Sequence, residues 1–198
     1  MKTNLKYYYT NFPVIEYDNI LLREITEADL NDLAECITDV EIYKYWGDNR
    51  STLEKNVISY YKRFLQRTPN EKRNCFHWGI ILKDENKLIG QIFINKIENN
   101  RMSHIGYRIS RKYWNNGYVT KAIKAVVDFC FKKTELKRLY TSVDIRNIAS
   151  WKALEKCGFT REGFIRQGKF GRKYCDYYLY GLIKSDYKNN TSGVSVKD

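Results

Sequence analysis

The feature that most constrains this chain is a loop, Tyr113 to Thr120, that leads from a strand into a helix. It follows the strand-like run from Ile105 to Ile109 and places Gly117 directly before a helical pattern. At such a junction the first backbone N–H groups of the helix converge on one point, where the helix dipole adds positive potential. The sequence therefore predicts a strand-to-helix turn that is suited to bind a phosphate or a pyrophosphate.

A second polar turn, Asn147 to Ser150, follows about thirty residues later and precedes the segment Glu155 to Phe159. Phosphate capture at a helix start, paired with a polar turn further along the chain, is typical of sites for nucleotide-type ligands. Together, the two turns narrow the function to the use of such a ligand.

Length and charge set the next limits. A chain of 198 residues with 43% hydrophobic and 15% aromatic residues can bury one full core, so a single domain is expected. Lys and Arg number 35 against 23 Asp and Glu, which gives a formal net charge of +12. This excess favours polyanionic partners such as nucleic acid, ribosomal surfaces or a phosphorylated cofactor, although a solvated basic surface without a partner explains it equally well.

The cysteines and the N-terminus indicate the compartment. The five cysteines are odd in number, widely spaced and free of any C-x-x-C pair, which favours reduced thiols. The first ten residues contain no apolar leader, and no stretch has the length of a membrane span. We expect a cytoplasmic protein that does not enter the membrane.

Hydrophobic periodicity predicts the order of the elements. Helices are expected after Thr26, after Ser51 with an end before Pro69, over Gly117 to Phe131, and over Ser150 to Lys156. Strands are expected at Ile20 to Ile25, Phe76 to Leu82, Leu88 to Asn95, Met102 to Ile109, Arg138 to Val143, from Phe159 onward, and at Tyr174 to Ile183. One domain then spans residues 1–187 with an N-terminal extension over 1–18, and residues 188–198 form a disordered tail.

From Ile20 to Tyr187 the motifs resemble those of the GNAT (GCN5-related) N-acetyltransferases, and most of all the Rim-type branch that acetylates the N-termini of ribosomal proteins. The phrases that carry the resemblance are Ile105 to Tyr107, Tyr113 to Thr120, Asn147 to Ser150, Leu154 to Phe159 and Asp176 to Tyr180. Two places depart from the wider family, because Trp114 stands where Gln or Arg is usual and Val119 where Gly or Ala is usual. Trp at the first of these places is usual in the Rim-type branch.

The resemblance implies an α/β (α+β) GNAT fold, with a mixed and mostly antiparallel sheet that is splayed at its middle and has helices on both faces. It also implies acetyl-CoA as cosubstrate and no metal. Main-chain groups of the Tyr107 to Ser110 strand would hold the pantetheine and polarise the thioester, while the Asn115 to Thr120 amides would hold the pyrophosphate. The implied cofactor-binding residues are Tyr107, Arg108, Ile109, Ser110, Trp114, Asn115, Asn116, Gly117, Tyr118, Val119, Thr120 and Asn147.

Three residues are candidates for catalysis. Most of the family uses a Tyr as general acid where this chain has Leu154, and in the Rim-type branch the residue corresponding to Ser150 supplies a hydroxyl near the CoA sulfur. Ser150 is an equally good N-cap for the following helix, and Asn147 either orients the ligand or stabilises a turn. His104 stands where relatives have a Glu that acts as the general base, and the ordinary pKa of histidine suits that role. A single histidine on a strand is, however, more often structural.

The acceptor is expected to be an amine, and a peptide N-terminus near the ribosome is the leading choice. A polyamine or an aminoglycoside is the alternative within the enzyme class, and a CoA-binding protein without catalysis or an RNA-associated module remains open outside it. The resemblance makes the loop that holds Tyr43, Tyr45 and Trp46 one wall of the acceptor groove, although such aromatic residues are usually packing residues. The chain is expected to act as a monomer or a homodimer.

Overall fold

The computed structural model describes residues 5–47, 57–66, 75–187 and 194–197. Within these residues, nine strands form a single sheet in the order β7-β8-β6-β5-β4-β3-β2-β1-β9. The strands are β1 (Val14–Tyr17), β2 (Ile20–Arg23), β3 (Cys75–Leu82), β4 (Lys87–Glu98), β5 (Met102–Ile109), β6 (Arg138–Asp144), β7 (Thr160–Phe170), β8 (Lys173–Ile183) and β9 (Val194–Lys197).

Helices cover both faces of this sheet. They are α1 (Leu5–Thr10), α2 (Leu30–Ile37), α3 (Val57–Tyr60, continued by a π-helical turn over Tyr61–Leu65), α4 (Tyr118–Asp128, continued by a π-helical turn over Phe129–Lys133) and α5 (Ile148–Lys156). One core joins the sheet to α1, α4 and α5, and a second core joins it to α2 and α3. The apolar arc predicted for α4 is confirmed, since Ala122, Ile123, Val126 and Val127 are buried.

The sheet opens at its middle. β5 and β6 are its parallel pair, and they pair only at Met102 to His104 against Arg138 to Tyr140. Both strands are described in full, yet past His104 and Tyr140 they share no further pairing. β5 stays bonded to β4 as far as Ile109, and β6 stays bonded to β8 as far as Asp144. The sheet is therefore splayed into two arms, as the resemblance implies.

The predicted meander is confirmed, because β3, β4 and β5 follow one another as antiparallel neighbours. The first predicted strand is shorter than expected and ends at Arg23. The Asp29 carboxylate draws the chain out of the sheet there, since it accepts hydrogen bonds from the Thr26 amide and from the Arg23 guanidinium. The predicted helix start at Ser51 lies outside the described residues.

Both terminal segments contribute secondary structure that was not predicted from the sequence. The segment 1–18 supplies α1 and β1, and Leu5, Tyr8 and Ile15 are buried in the larger core. The prediction of a disordered tail is wrong for residues 194–197, which pair antiparallel with β1. β1 would otherwise present a row of unpaired backbone groups, and β9 covers that edge. Residues 188–193 and 198 lie outside the described part of the chain.

None of the helices in the described ranges is both long and apolar enough to cross a membrane. All five cysteines fall within these ranges, and no disulfide links them.

Candidate active site

The splayed arms expose main-chain groups of β5. The Ser110 amide donates to the Ile89 carbonyl oxygen on β4 at 2.8 Å. Since backbone groups alternate in direction along a strand, Arg108 also faces β4, whereas Tyr107 and Ile109 face the opening. Of the four residues predicted to meet the pantetheine, Tyr107 and Ile109 thus direct their main chains to the opening, and Arg108 and Ser110 do not.

The predicted phosphate loop follows directly. Asn115 and Gly117 both adopt left-handed backbone conformations, with φ of +62° and +77°. Gly117 is the residue before α4, so the first-turn amides of Tyr118, Val119 and Thr120 lack helical acceptors. A Cβ built at Gly117 meets nothing within 4 Å, so the space in front of the helix is open. These features fit a bound pyrophosphate, which needs close backbone approach and converging N–H donors.

Trp114 and Asn116 shape this loop from within. The Trp114 indole N–H donates to the Ile109 carbonyl oxygen at 2.9 Å, which ties the loop to the end of β5. The Asn116 side-chain amide donates to the Trp114 carbonyl oxygen at 3.0 Å. Both side chains hold the loop in position, and this explains how Trp occupies a place where the wider family has Gln or Arg.

Asn147, and not Ser150, is the N-cap of α5. Helix α5 begins at Ile148, two residues before the predicted start, and the Asn147 side-chain oxygen accepts a hydrogen bond from the Ser150 amide at 3.3 Å. The capping interpretation of Ser150 is therefore wrong. Ser150 lies inside the first turn, and its hydroxyl is available for another role.

The Ser150 hydroxyl meets Tyr107 across the opening. The Tyr107 hydroxyl lies 2.9 Å from Ser150 Oγ and 3.1 Å from the Ser150 carbonyl oxygen. Burial raises the pKa of Tyr107, and the hydrogen bond with Ser150 offsets this only in part. Sequence reasoning selected Tyr107 for its main chain and missed its side chain, because no local pattern links residues so far apart.

His104 lies at the point where the arms diverge. Its Nδ1 is 3.0 Å from Asn95 Oδ1 on β4, and its Nε2 is 3.4 Å from Thr141 Oγ1 on β6. Burial, assisted by the charge of Lys96, lowers its pKa to about 4. Near neutral pH the ring is uncharged and joins three strands, which favours a structural role over that of a base.

A loop covers the opening on the opposite face of β5 from Tyr107. The Arg108 guanidinium donates to the Tyr43 hydroxyl at 2.7 Å and stacks over the Trp46 ring at 5.8 Å. At the other arm, Arg146 stacks over the Tyr45 ring at 5.9 Å. The segment from Tyr43 to Gly47, here called the cover, therefore spans both arms.

The cover also meets the turn between β7 and β8. The Gly47 carbonyl oxygen accepts from the Arg172 amide at 2.5 Å. A Cβ built at Gly171, where φ is +64°, lies 2.0 Å from that same oxygen, so only glycine allows this approach. Lys173 reaches the Lys44 carbonyl oxygen at 3.4 Å. These contacts hold the cover against the turn between β7 and β8. The cover contains Tyr43, Tyr45 and Trp46, which the resemblance places in one wall of the acceptor groove.

Asp144 organises the end of β6, although no motif in the sequence points to it. Its buried carboxylate binds the backbone amide and guanidinium of Arg146 and lies 3.5 Å from Lys173 Nζ. Burial acts to raise its pKa, but the hydrogen bonds from Arg146 outweigh burial and lower it to about 2. The Asp144 carbonyl oxygen accepts a hydrogen bond from the Asn147 amide at 2.9 Å. This turn therefore positions both Asn147, the N-cap of α5, and Ser150.

In the parts of the chain that the structure describes, no three His, Cys, Asp or Glu side chains cluster in a way that suits a metal ion.

Comparison with known proteins identifies the family. The model of the acetyltransferase (GNAT) domain matches residues 19–160. An uncharacterized N-acetyltransferase of Bacillus subtilis, YoaA, is 34% identical over 87% of this chain and 98% of its own length. The ribosomal-protein-serine acetyltransferase of Escherichia coli is 26% identical over 69% of this chain and 70% of its own length.

Solved structures agree on the fold. The spermidine N-acetyltransferase of Vibrio cholerae, solved with CoA and spermine, superposes with a TM-score of 0.67 at 18% identity over 85% of this chain and 97% of its own. The chain belongs to the GNAT acetyltransferase family, and it is an acetyl-CoA-dependent N-acetyltransferase.

The phosphate loop yields a test of charge. Gly117→Asp and Gly117→Asn variants have side chains of equal size, and both residues tolerate the left-handed conformation. We expect the Asp variant to bind free CoA at least tenfold more weakly than the Asn variant, about 1.4 kcal/mol, because its carboxylate repels the pyrophosphate. Isothermal calorimetry at two salt concentrations measures this, and the gap should narrow at high salt. Equal affinity in two folded variants would show that no phosphate approaches Gly117.

His104 yields a test of pH dependence. Its folded pKa of about 4 lies below the ordinary value of 6.5, so the unfolded chain binds the proton more readily between these values. The stabilising effect of neutral His104 is therefore complete above about pH 6.5 and is lost as the pH falls towards 4. Urea unfolding should show a larger loss of stability from pH 7 to pH 5 in the wild type than in His104→Gln. Parallel losses, combined with an inactive folded His104→Gln enzyme, would instead support the role of general base.

Proposed function

We propose that this enzyme transfers acetyl from acetyl-CoA to the α-amine of a peptide N-terminus by direct attack, without a covalent enzyme intermediate. The observation that carries the proposal is the unpaired stretch between β5 and β6, which has the Gly117 loop at the end of β5 and the Ser150 hydroxyl on the far arm. This opening is suited to a long, narrow ligand that carries phosphate at one end.

The residues that would hold acetyl-CoA follow from the geometry. The amides of the first turn of α4 would bind the pyrophosphate, and the main chain of Tyr107 and the amide of Ile109 would bind the pantetheine. A cleft of about 360 Å³ between α4 and the C-terminal end of α5 is lined by Lys124 and Lys156 among others. Cys157, also in its wall, contacts the Thr120 carbonyl oxygen in the first turn of α4. Asp128, Glu155 and Asp186 also line this cleft, so its charge does not mark it as the site of the phosphorylated nucleotide, and we assign it no ligand.

Acetyl-CoA supplies an activated acetyl group as a thioester. The amine nitrogen bonds to the acetyl carbon, the carbon–sulfur bond breaks, one proton leaves the nitrogen and one arrives on the sulfur. Main-chain N–H groups of β5 that face the opening would stabilise charge on the thioester oxygen. Ser150 Oγ would donate its proton towards the departing sulfur, and solvent would restore it.

The charges around the cover favour a peptide over a polycation. Arg146 and Lys173 lie along it, and the buried Asp144 is bound to both of them. A polyamine therefore gains little attraction from this wall, and the net charge of +12 repels it further. The same charge attracts acidic peptides and concentrates the enzyme near ribosomal RNA. The named activity of the Escherichia coli relative supports this choice, whereas the fold of the spermidine enzyme suits both.

The test is a comparison of acceptors at physiological salt. We expect kcat/KM, measured as thiol release from acetyl-CoA, to be higher for a short acidic peptide with a free N-terminus than for spermidine or an aminoglycoside. Rising salt should lower the value for the acidic peptide, because screening weakens the attraction. The same peptide with a blocked N-terminus is the control. Faster turnover of spermidine would contradict the substrate class while leaving the acetyltransferase activity in place.

A further inference from the structure

The contact between Tyr107 and Ser150 has a geometry that controls one proton. The Tyr107 hydroxyl lies within hydrogen-bond distance of two oxygens of Ser150, Oγ at 2.9 Å and the carbonyl oxygen at 3.1 Å. The two residues are 43 positions apart and belong to β5 and α5. The contact therefore joins the strand on one side of the opening to the helix that begins beyond the other arm.

Each hydroxyl carries a single hydrogen, so two arrangements are available. If Tyr107 donates to the carbonyl oxygen, Ser150 directs its own hydrogen at Tyr107. If Tyr107 donates to Oγ, the Ser150 hydrogen is released to turn towards the opening. The second arrangement alone leaves Ser150 ready to donate to a ligand there.

We propose that Tyr107 is a positioning residue that donates to Ser150 Oγ and thereby directs the Ser150 proton into the opening between β5 and β6. The inference rests on the proposed function, in which Ser150 supplies a proton to the departing sulfur. Tyr107 keeps its own proton throughout, so the proton balance of acetyl transfer is unchanged.

The surroundings support this assignment. Burial raises the pKa of Tyr107, so its hydroxyl stays protonated and keeps a hydrogen to donate in either arrangement. Leu154, which stands where the wider family has the Tyr that acts as general acid, is fully buried in the core. Ser150 is held independently by the Asn147 cap, and Tyr107 lies on a strand that is bonded to β4. Two rigid elements thus fix the separation of the two hydroxyls.

The test is a double-mutant cycle of wild type, Tyr107→Phe, Ser150→Ala and the double variant, with kcat, peptide KM and CoA affinity measured for each. Tyr180→Phe is the matched control, because it removes another buried tyrosine hydroxyl, which donates to Glu155 at the opposite end of α5. We expect Ser150→Ala to lower kcat about a hundredfold and Tyr107→Phe about tenfold, with CoA affinity near wild type. The double variant should match Ser150→Ala, since Tyr107 acts through Ser150.

Other outcomes separate the possible failures. A normal kcat in Tyr107→Phe would overturn the positioning role. A further loss of kcat on adding Tyr107→Phe to Ser150→Ala would make Tyr107 a proton donor in its own right and would also overturn it. An equal loss of kcat in Tyr180→Phe would show that the loss in Tyr107→Phe reflects a less stable fold and not the positioning of Ser150. A wild type that acetylates peptides while Ser150→Ala keeps full activity would refute the role of Ser150, and a wild type that acetylates no peptide would refute the proposed function.

Discussion

The architecture depends on one short pairing, the three parallel residue pairs between β5 and β6. Parallel strands need a crossover, and α4 supplies it by running from the Gly117 loop back across the sheet. Because the pairing stops at His104 and Tyr140, the outer halves of both strands leave backbone groups facing a gap. Unpaired backbone groups in a sheet are costly unless something binds them, so the gap is suited to a ligand with alternating amide donors and acceptors.

The polar side chains around the gap are arranged to keep its two sides fixed. His104 ties β4 and β6 together at the apex, Asp144 holds the turn that leads into α5, and the cover reaches both arms through Arg108 and Arg146. Tyr107, Ser150 and the Gly117 loop lie on one face of the sheet, and the cover lies on the other. Under the proposed function, this separation would give acetyl-CoA and the acceptor amine different routes to the same point.

Periodicity and turn chemistry predicted the elements that depend on nearby residues. The apolar arc of α4, the meander and the position of Gly117 at the start of α4 follow from local patterns, and the motifs indicated the family. The sequence pointed to Ser150 as a cap of α5, whereas the structure has Asn147 as the N-cap; since Asn and Ser both cap helices well, residue preference alone does not locate the start of the helix. The Tyr107–Ser150 contact, the approach of Gly47 to Gly171 and the pairing of β9 with β1 join residues distant in sequence, so no local pattern encodes them.

Under the proposed function, acetyl-CoA occupies the gap between β5 and β6. Amide hydrogen exchange with and without saturating CoA tests it directly, because a bound ligand protects the backbone groups that it contacts. We expect slower exchange at residues 105–109 and 115–120 and at the start of α5, with no change in β2 or in its pairing with β3. Protection that avoids residues 105–109 and appears only at the cover, or at neither place, would contradict it.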